Sequence, residues 1–439
     1  MLKIIRILFF LSLMVITLAS IGAEAASSKI VVLQVKGTVN PVLTTYIERG
    51  IAYAEDENAV ACIIQLDTPG GLDTAMRDIV QEIVGARVPV VVYVSPSGAR
   101  AASAGVFITM AAHVAVMAPN TAIGAASPVA LGPEGEEQMS ETMKNKVLND
   151  AAAYIRSIAE SHGRNMEWAE KAVREAVSAT ETEALELNVI DLVSPDLDTL
   201  ITQLDGRQVT MLGGSVVAFH TEGATIEMLG MSTVEEFLYA ISDPNIAYIL
   251  MSLAMLGLLV ELSNPGLIFP GVVGAICLLL AFYSLGTLPV NWAGVLLIVL
   301  AFGLFIAEVF TVTFGLFTAG GIVSLVIGSL ILFQGNSPVF RVDPWLIATV
   351  TLIISGLIAF ALQRVIKAHR RQASTGREEL MGKTAVATTA LAPEGTVFFK
   401  GERWAAVLDK GRVKPGDTVI ITRVDGLKLY VKRKITDEQ

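Results

Sequence analysis

The stretch that decides the fold is GARAASAG, residues 98–105. An apolar, β-branched run precedes it at residues 89–94 and predicts a buried strand, and residues 106–112 predict an apolar helix. Ser103 therefore lies at a strand-to-helix turn, where backbone N–H groups are free and favour negative charge. An enzyme whose reaction forms an oxyanion would place its nucleophile here. The same small residues are also typical of a turn that lets a helix approach a strand closely.

Strands and helices alternate around this stretch. Strands are predicted at residues 30–35, 60–66, 89–94 and 113–117, and helices at residues 41–57 and 72–86. This alternation favours right-handed βαβ units and a mostly parallel sheet. We therefore predict an α/β domain over residues 27–240. Its Gly/Pro-rich segment 119–137 is long enough to line or cover a cleft.

The second half of the chain is strongly apolar. Hydrophobic residues make up 53% of the 439 residues, and the mean hydropathy is +0.60, which implies membrane spans. We predict a membrane region at residues 241–370 with about five helices, at residues 246–262, 267–288, 292–310, 314–333 and 345–365. Trp292 and Trp345 stand at the starts of two of these spans, as interfacial aromatic residues do.

Residues 1–26 have the pattern of a secretory signal peptide. Lys3 and Arg6 precede an apolar run, and Ala-Glu-Ala at residues 23–25 fits a cleavage site, although an uncleaved anchor has a similar pattern. In either case the α/β domain is expected outside the cytoplasm. Five crossings then place the C-terminus in the cytoplasm, and the basic cluster at residues 364–371 agrees with the positive-inside rule.

Residues 378–439 predict a small β module. Short strands separated by Gly, Pro and Asp turns fit a five-stranded closed barrel of the OB type. Some such barrels bind nucleic acid, but about 60 residues need their aromatic side chains for a core. The formal charge of −10 also argues against nucleic acid. We therefore expect the barrel to contact protein.

The metal-ligating residues are few and scattered. Cys62 and Cys277 lie in separate apolar runs, and the four histidines have no partner at metal-ligand spacing. We therefore expect no metal and no cofactor.

A catalytic serine needs a base and an oxyanion hole. His113 and His162 have no evident carboxylate partner, whereas Lys144 and Lys146 stand at the start of a helix predicted at residues 140–162. A lysine there opposes the helix dipole, and such departures concentrate at functional sites, although a solvated lysine is the plainer interpretation. Gly70 and Gly71 end the neighbouring predicted strand, so their amides and that of Ala104 are candidate oxyanion donors.

The chain resembles the long-form NfeD proteins, a family of membrane-bound serine proteases of the ClpP class. The resemblance rests on three motifs in order: DTPGG at residues 67–71, residues 98–105, and KVLND at residues 146–150 followed by GRN at residues 163–165. It implies a ClpP/crotonase-like α/β domain, then a multi-span membrane region and an OB-like barrel. It also implies an oligomer, at least a dimer, and a partner of the stomatin/flotillin class.

Carried over position by position, the resemblance implies that Ser103 is the nucleophile and Lys146 the general base. It implies that Gly71 and Ala104 supply the oxyanion-hole amides. Lys144 remains a rival to Lys146, because the assignment depends on the spacing from residues 163–165. Arg100 stands where the family pattern has a small residue.

The predicted function is a membrane-anchored serine endopeptidase in the cell membrane that cleaves apolar segments of membrane-associated proteins with a Ser-Lys dyad. The alternative is a non-catalytic membrane scaffold that works with stomatin/flotillin-type proteins. A transporter is disfavoured, because the spans contain no mid-span charge and no internal repeat.

Overall fold

The structure is a computed structural model that describes residues 28–128, 140–264, 266–311, 315–333, 340–369 and 380–434. The predicted signal peptide, residues 1–26, lies outside the described residues, as does part of the segment 119–137. The chain divides between Ile354 and Ser355 into two compact units, each of which is described by itself.

The α/β part of the first unit has eleven strands and eight helices within the described residues. In chain order they are β1 (Lys29–Lys36), α1 (Pro41–Asp56), β2 (Ala61–Asp67), α2 (Asp73–Gly85), β3 (Val90–Val94), β4 (Arg100–Ala102), α3 (Ala104–Ala111), β5 (Val114–Met117), β6 (Ala122–Gly124), α4 (Glu141–Ser161), α5 (Met166–Arg174), β7 (Ser178–Thr180), α6 (Glu181–Glu186), β8 (Leu192–Val193), α7 (Leu197–Leu204), β9 (Gln208–Thr210), β10 (Val216–Ala218), β11 (Thr225–Leu229) and α8 (Thr233–Ile241).

The central sheet has six strands in the order β11-β1-β2-β3-β5-β8, and every neighbouring pair is parallel. Helices α1 to α4 pack on one face, and α7 packs on the other through Leu200 and Leu204. Burial on both faces explains why β3, Val90–Val94, is apolar at every position. The predicted parallel α/β domain is confirmed.

The sequence pattern does not predict the small sheet beside Ser103. The chain does not pass directly from β3 to Ser103, because β4 pairs with β6 in a separate three-stranded sheet, β4-β6-β7. An isolated bridge from Thr68 to Ala101 joins this small sheet to the turn after β2. Three residues are too few to give a strand a recognisable pattern in sequence.

The membrane region has helices at all five predicted positions: α9 (Pro244–Ser263), α10 (Ile268–Thr287), α11 (Trp292–Phe310), α12 (Leu316–Leu330) and α13 (Pro344–His369). Of the helices described, α9, α10, α11 and α13 are long and apolar enough to cross a membrane, and α12 has 15 residues. The chain is thus a multi-pass membrane protein.

Helices α11 and α12 form an antiparallel hairpin. The Glu308 carboxylate accepts hydrogen bonds from the N–H groups of Gly315 and Thr318 at one end, and Asn291 N–H donates to the Leu332 carbonyl (2.8 Å) at the other. Helix α12 therefore spans the same depth of the bundle as most of α11. Asp343 N–H, just before α13, donates to Asn245 Oδ1 (2.8 Å) at the start of α9.

Helix α8 connects the sheet to this bundle. Arg49 on α1 makes a bidentate ion pair with Glu235 on α8, at 2.7 and 2.9 Å. Tyr239 on α8 donates its hydroxyl to the Lys36 carbonyl at the end of β1 (3.1 Å). Ser284 on α10 hydrogen bonds to the Ile241 carbonyl at the end of α8. The α/β domain and the end of the bundle near Asn245, Asn291 and Leu332 thus share side-chain contacts.

The second unit ends in a closed five-stranded barrel, as predicted. Its strands are β12 (Thr384–Ala387), β13 (Glu394–Phe399), β14 (Glu402–Leu408), β15 (Thr418–Asp425) and β16 (Lys428–Arg433), in the order β12-β13-β14-β16-β15. Apolar residues that alternate along the strands, among them Val397, Leu408 and Val419, fill the interior.

Candidate active site

Ser103 joins β4 to α3 and is the N-cap residue of that helix. Its φ of 53° and ψ of −112° lie in a region that residues with a side chain rarely adopt. Two hydrogen bonds hold it there: Ser103 N–H donates to the Gly124 carbonyl (3.1 Å), and its own carbonyl accepts from Val106 N–H (3.0 Å). A strained, half-buried serine at a helix N-terminus is the type of arrangement found at functional sites.

The turn after β2 brings Gly70 directly against Ser103. A Cβ built on Gly70 would lie 2.7 Å from the Ser103 Cβ and 3.2 Å from its Oγ, and Gly70 has a φ of +113°. Only glycine tolerates both the close approach and this backbone angle. The DTPGG motif is thus required by the position of the serine.

The two glycines of this motif differ in what their amides do. Gly70 N–H donates to the Thr68 hydroxyl (3.0 Å). Gly71 is fixed by Val39, because Val39 N–H donates to the Gly70 carbonyl and Leu72 N–H donates to the Val39 carbonyl, both at 2.9 Å. Among the hydrogen bonds of the described residues, none uses the N–H of Gly71 or of Ala104. These two amides are therefore available to a ligand, whereas that of Gly70 is not.

A cleft of about 700 Å³ opens in front of Ser103 and both free amides. Apolar residues from several elements and four charged residues line it. The apolar residues include Leu72, Met76, Phe107, Val147, Ala151 and Phe340, and the charged residues are Asp73, Arg77, Arg100 and Asp150. The volume and the mixed lining suit a short extended peptide segment.

Arg77 ties together the helices that form the walls. From α2 it donates to Asp73 (2.8 Å) and, across the cleft, to Asp150 on α4. Its guanidinium lies 4.5 Å from the centre of the Tyr154 ring, and Tyr154 stacks on Phe107 of α3. The sequence pattern does not predict this cluster. The Asp73–Arg77 spacing of four residues signalled a helical ion pair, but nothing local pointed to Asp150.

Lys144 and Lys146 lie in the first two turns of α4, and both are exposed. Neither is part of the cleft lining, although Val147 and Asp150 of the same helix are. Within the described part of the chain, no hydrogen bond joins either lysine to Ser103. The structure brings Ser103, Gly71 and Ala104 to one cleft and leaves Lys146 on the solvent side of its rim.

His113 and His162 lie away from the cleft. His113 precedes β5, at the amino ends of the strands, and its Nδ1 accepts from Val90 N–H (3.1 Å). Ser103 lies at the opposite, carboxyl edge of the sheet. Burial is the main reason that the pKa of His113 falls to about 4, with the neighbouring His162 and Arg164 adding to the effect. Neither His113 nor His162 is placed to act as a base for Ser103.

Arg164 of the GRN motif binds the C-terminus of α3, the helix that begins at Ser103. Arg164 is buried, and its guanidinium donates to the carbonyls of Met110 (2.6 Å) and Ala112 (2.9 Å) at the C-terminus of α3. It also pairs with Asp191 (2.6 Å). A cation at this end complements the dipole of the helix whose N-terminus carries Ser103.

Arg100 lines the cleft beside Ser103 and is exposed. Its backbone N–H donates to Asp67 (3.2 Å), and its guanidinium makes no ion pair with any residue in the described ranges. It therefore adds positive potential at the cleft. No group of three metal-ligating side chains occurs within the described residues.

These features define a class: a parallel α/β domain joined to a multi-pass membrane bundle and a closed β-barrel. Three family profiles match in the same order. They describe an NfeD1b N-terminal domain (residues 29–198), an NfeD integral membrane domain (residues 245–364) and an NfeD-like C-terminal, partner-binding domain (residues 377–433). The chain belongs to the NfeD family.

Two relatives are similar over almost the whole chain. The membrane-bound protease PH1510 of Pyrococcus horikoshii is 38% identical over 417 residues, which cover 93% of this chain and 94% of the relative. The membrane protein NfeD1b of Bacillus subtilis is 28% identical over 443 residues, 97% of each chain. A solved structure of the 1510-N membrane-bound stomatin-specific protease, a lysine-to-alanine mutant with a substrate peptide, is 35% identical and has a TM-score of 0.46. That match covers 49% of this chain and 98% of the other.

Proposed function

We propose that the chain is a membrane-anchored serine endopeptidase in which Ser103 is the nucleophile and Lys146 the general base. The observation that carries this proposal is that the backbone N–H groups of Gly71 and Ala104 line the cleft that contains Ser103 and donate no hydrogen bond within the described residues. Two such donors stabilise the oxyanion of an acyl-transfer reaction, which is usually the largest contribution to its catalysis. The homology to a membrane-bound protease supports the same activity.

In this mechanism the Ser103 hydroxyl attacks the scissile carbonyl, and Lys146 takes its proton and returns it to the leaving amine. Water then hydrolyses the acyl-enzyme. A lysine can accept a proton only when neutral, a form that exclusion of water favours. The proposal therefore requires that other protein groups shield the first turns of α4 from water. Met143 and Val147, which flank Lys146, are exposed and apolar (50% and 37% exposed), which supports a second copy of the chain in that role.

The exposure of Lys146 outside the cleft also favours the second candidate, a non-catalytic membrane scaffold that works with stomatin/flotillin-type proteins. The C-terminal barrel matches a partner-binding domain, and a relative is named as specific for a stomatin homologue. We propose a stomatin-class partner in either case.

We further propose that the substrate is an apolar segment of a membrane-associated protein and that the α/β domain lies outside the cytoplasm. The apolar cleft lining and the shared contacts with the end of the bundle support the choice of substrate. Five crossings would then place the C-terminal barrel in the cytoplasm.

The test uses the full chain in membranes. A fluorescent fluorophosphonate reports the reactivity of Ser103, and an internally quenched apolar decapeptide reports cleavage. We expect Ser103→Ala to abolish both signals and Lys146→Ala to lower the cleavage rate by roughly 10²–10⁴-fold. Lys144→Ala, two residues away on the same exposed turns, is the matched control and should stay within a few-fold of the wild type. Loss with Lys144→Ala alone would move the base to that residue, and an unlabelled wild-type Ser103 would favour the scaffold.

A further inference from the structure

One lining residue of the cleft comes from the membrane region. Phe340 precedes α13 in sequence and lines the same cavity as Ser103, although more than half of the α/β sequence and four membrane helices separate the two in the chain. Its side chain is 5% exposed, so it is packed against other groups.

Phe340 also borders a smaller cavity on its other side. That cavity is lined by Thr38 and Asn40 of the turn after β1, by Tyr239 of α8 and by Leu288 at the end of α10. Thr38 and Asn40 flank Val39, the residue whose backbone fixes Gly71. The Phe340 ring thus lies between the turn that contains Gly71 and the end of the membrane bundle.

Several contacts hold this end of the bundle in place. Asp343 N–H donates to Asn245, Thr287 on α10 bonds to Ser242 (3.3 Å), and Tyr239 donates to the carbonyls of Lys36 and Thr38. Thr38 belongs to the turn that fixes Gly71, and it lines the same small cavity as Phe340.

We infer that Phe340 is a specificity-determining residue, which selects an apolar side chain of the substrate on the side of the cleft that faces the membrane bundle. This inference rests on the proposed function, because the site concerned is the peptide cleft. An aromatic ring in a mostly apolar wall favours burial of a substrate side chain there, which is typically worth a factor of roughly 10–200 in discrimination. A substrate chain that leaves the bilayer beside this end of the bundle would meet Phe340 on its way to Ser103.

The experiment measures binding separately from cleavage. The full chain carrying Ser103→Ala is placed in nanodiscs, and a fluorescent decapeptide of Val, Leu and Ala with terminal lysines is titrated by anisotropy. We expect Phe340→Ala in this background to raise the Kd about tenfold. Phe340→Leu, which keeps most of the bulk, should restore most of the affinity. Phe310→Ala is the matched control, because Phe310 is 69% exposed at the other end of the bundle.

An unchanged Kd in Phe340→Ala, or no measurable binding by the parent chain, would overturn the inference. Cleavage by the chain with Ser103 intact is measured in parallel and reports only on the proposed function. Binding that depends on Phe340 in a chain that cleaves nothing would leave the subsite standing and reject the peptidase.

Discussion

Gly70 and Ser103 are in such close contact that there is no room for one further carbon atom at Gly70. The hypothetical Cβ of Gly70 collides with the Ser103 Cβ at 2.7 Å, a distance that real Cβ atoms do not reach. Because Ser103 also has a strained backbone, it cannot move away without losing its hydrogen bond to Gly124. The turn after β2 and the turn before α3 therefore form one structural unit.

Gly70→Ala should displace Ser103 and slow its reaction with a fluorophosphonate at least 100-fold. The matched control is Gly98→Ala, because Gly98 also has a positive φ (+88°) but no atom within 4 Å of its hypothetical Cβ. Gly98→Ala should cost about 1 kcal/mol of stability from backbone strain and leave labelling unchanged. Labelling rates and melting temperatures of both variants, measured on the full chain, check the prediction. Equal labelling in the two variants would contradict it.

The sequence predicted where the site lies but not which amides are free. Parallel strands that end in glycine turns must open at the same edge of the sheet, so the order of strands and turns was enough to bring Gly70, Gly71 and Ser103 together. The residue pattern alone did not distinguish the two adjacent glycines, and only the family resemblance pointed to Gly71. Only the Thr68 hydroxyl bond to Gly70, and the packing of Gly71 on Val39, separate their roles.

Contacts between residues far apart in the chain could not be predicted from the sequence, for a physical reason. Arg77–Asp150 and the position of Phe340 depend on how α4 and the membrane bundle pack on the sheet, which no local periodicity encodes. The position of Lys146 depends on what covers α4. Its exposed neighbours Met143 and Val147 are apolar, and the first turns of α4 have no cover among the residues described. Its role thus stays a prediction.

The contacts of Arg164 with the C-terminus of α3 give a second prediction. Arg164→Met should destabilise the chain by about 3–5 kcal/mol, because it leaves two buried carbonyls and Asp191 without their cation. Arg207→Met is the control, since Arg207 is 36% exposed and lies 3.9 Å from the same Asp191. It should cost less than about 1 kcal/mol. Thermal unfolding of the full chain measures both, and similar losses of stability from the two variants would contradict the prediction.

Acidification should destabilise the α/β domain through His113. The pKa of His113 is about 4 in the folded chain, below the ordinary value of 6.5, so the unfolded state binds a proton first as the pH falls. The free energy of unfolding should therefore decrease between pH 6.5 and pH 4, by at most about 3 kcal/mol, and then level off. The pKa of His162, whose ring lies 6.2 Å away, is also lowered by burial and should add a smaller effect of the same sign.

His113→Asn tests this prediction, because an amide oxygen can replace Nδ1 as the acceptor for Val90 N–H and does not titrate. Denaturant unfolding at pH 7 and pH 4.5 should show a smaller difference for this variant than for the wild type. The same pH dependence in both would assign the effect to other groups.

The link between the α/β domain and the membrane bundle gives the last prediction. Hydrogen bonds from Arg49 lower the pKa of Glu235 to about 2, so the pair contributes stability above the unfolded pKa near 4.3 and loses it as the pH falls towards 2. Glu235→Gln should remove this contribution, about 1.5–3 kcal/mol for a charge-assisted pair of which Glu235 is 8% exposed. Glu236→Gln, at the exposed neighbouring position of the same helix turn, is the control and should change stability by less than 0.5 kcal/mol, roughly the surface range.

Limited proteolysis at residues 230–232 measures the opening of this junction directly, and faster cleavage in Glu235→Gln alone is expected. Because α8 also packs beside Phe340 through Tyr239, the same variant should weaken decapeptide binding, whereas a junction that opens without any loss of binding would show that Phe340 is held by the bundle alone.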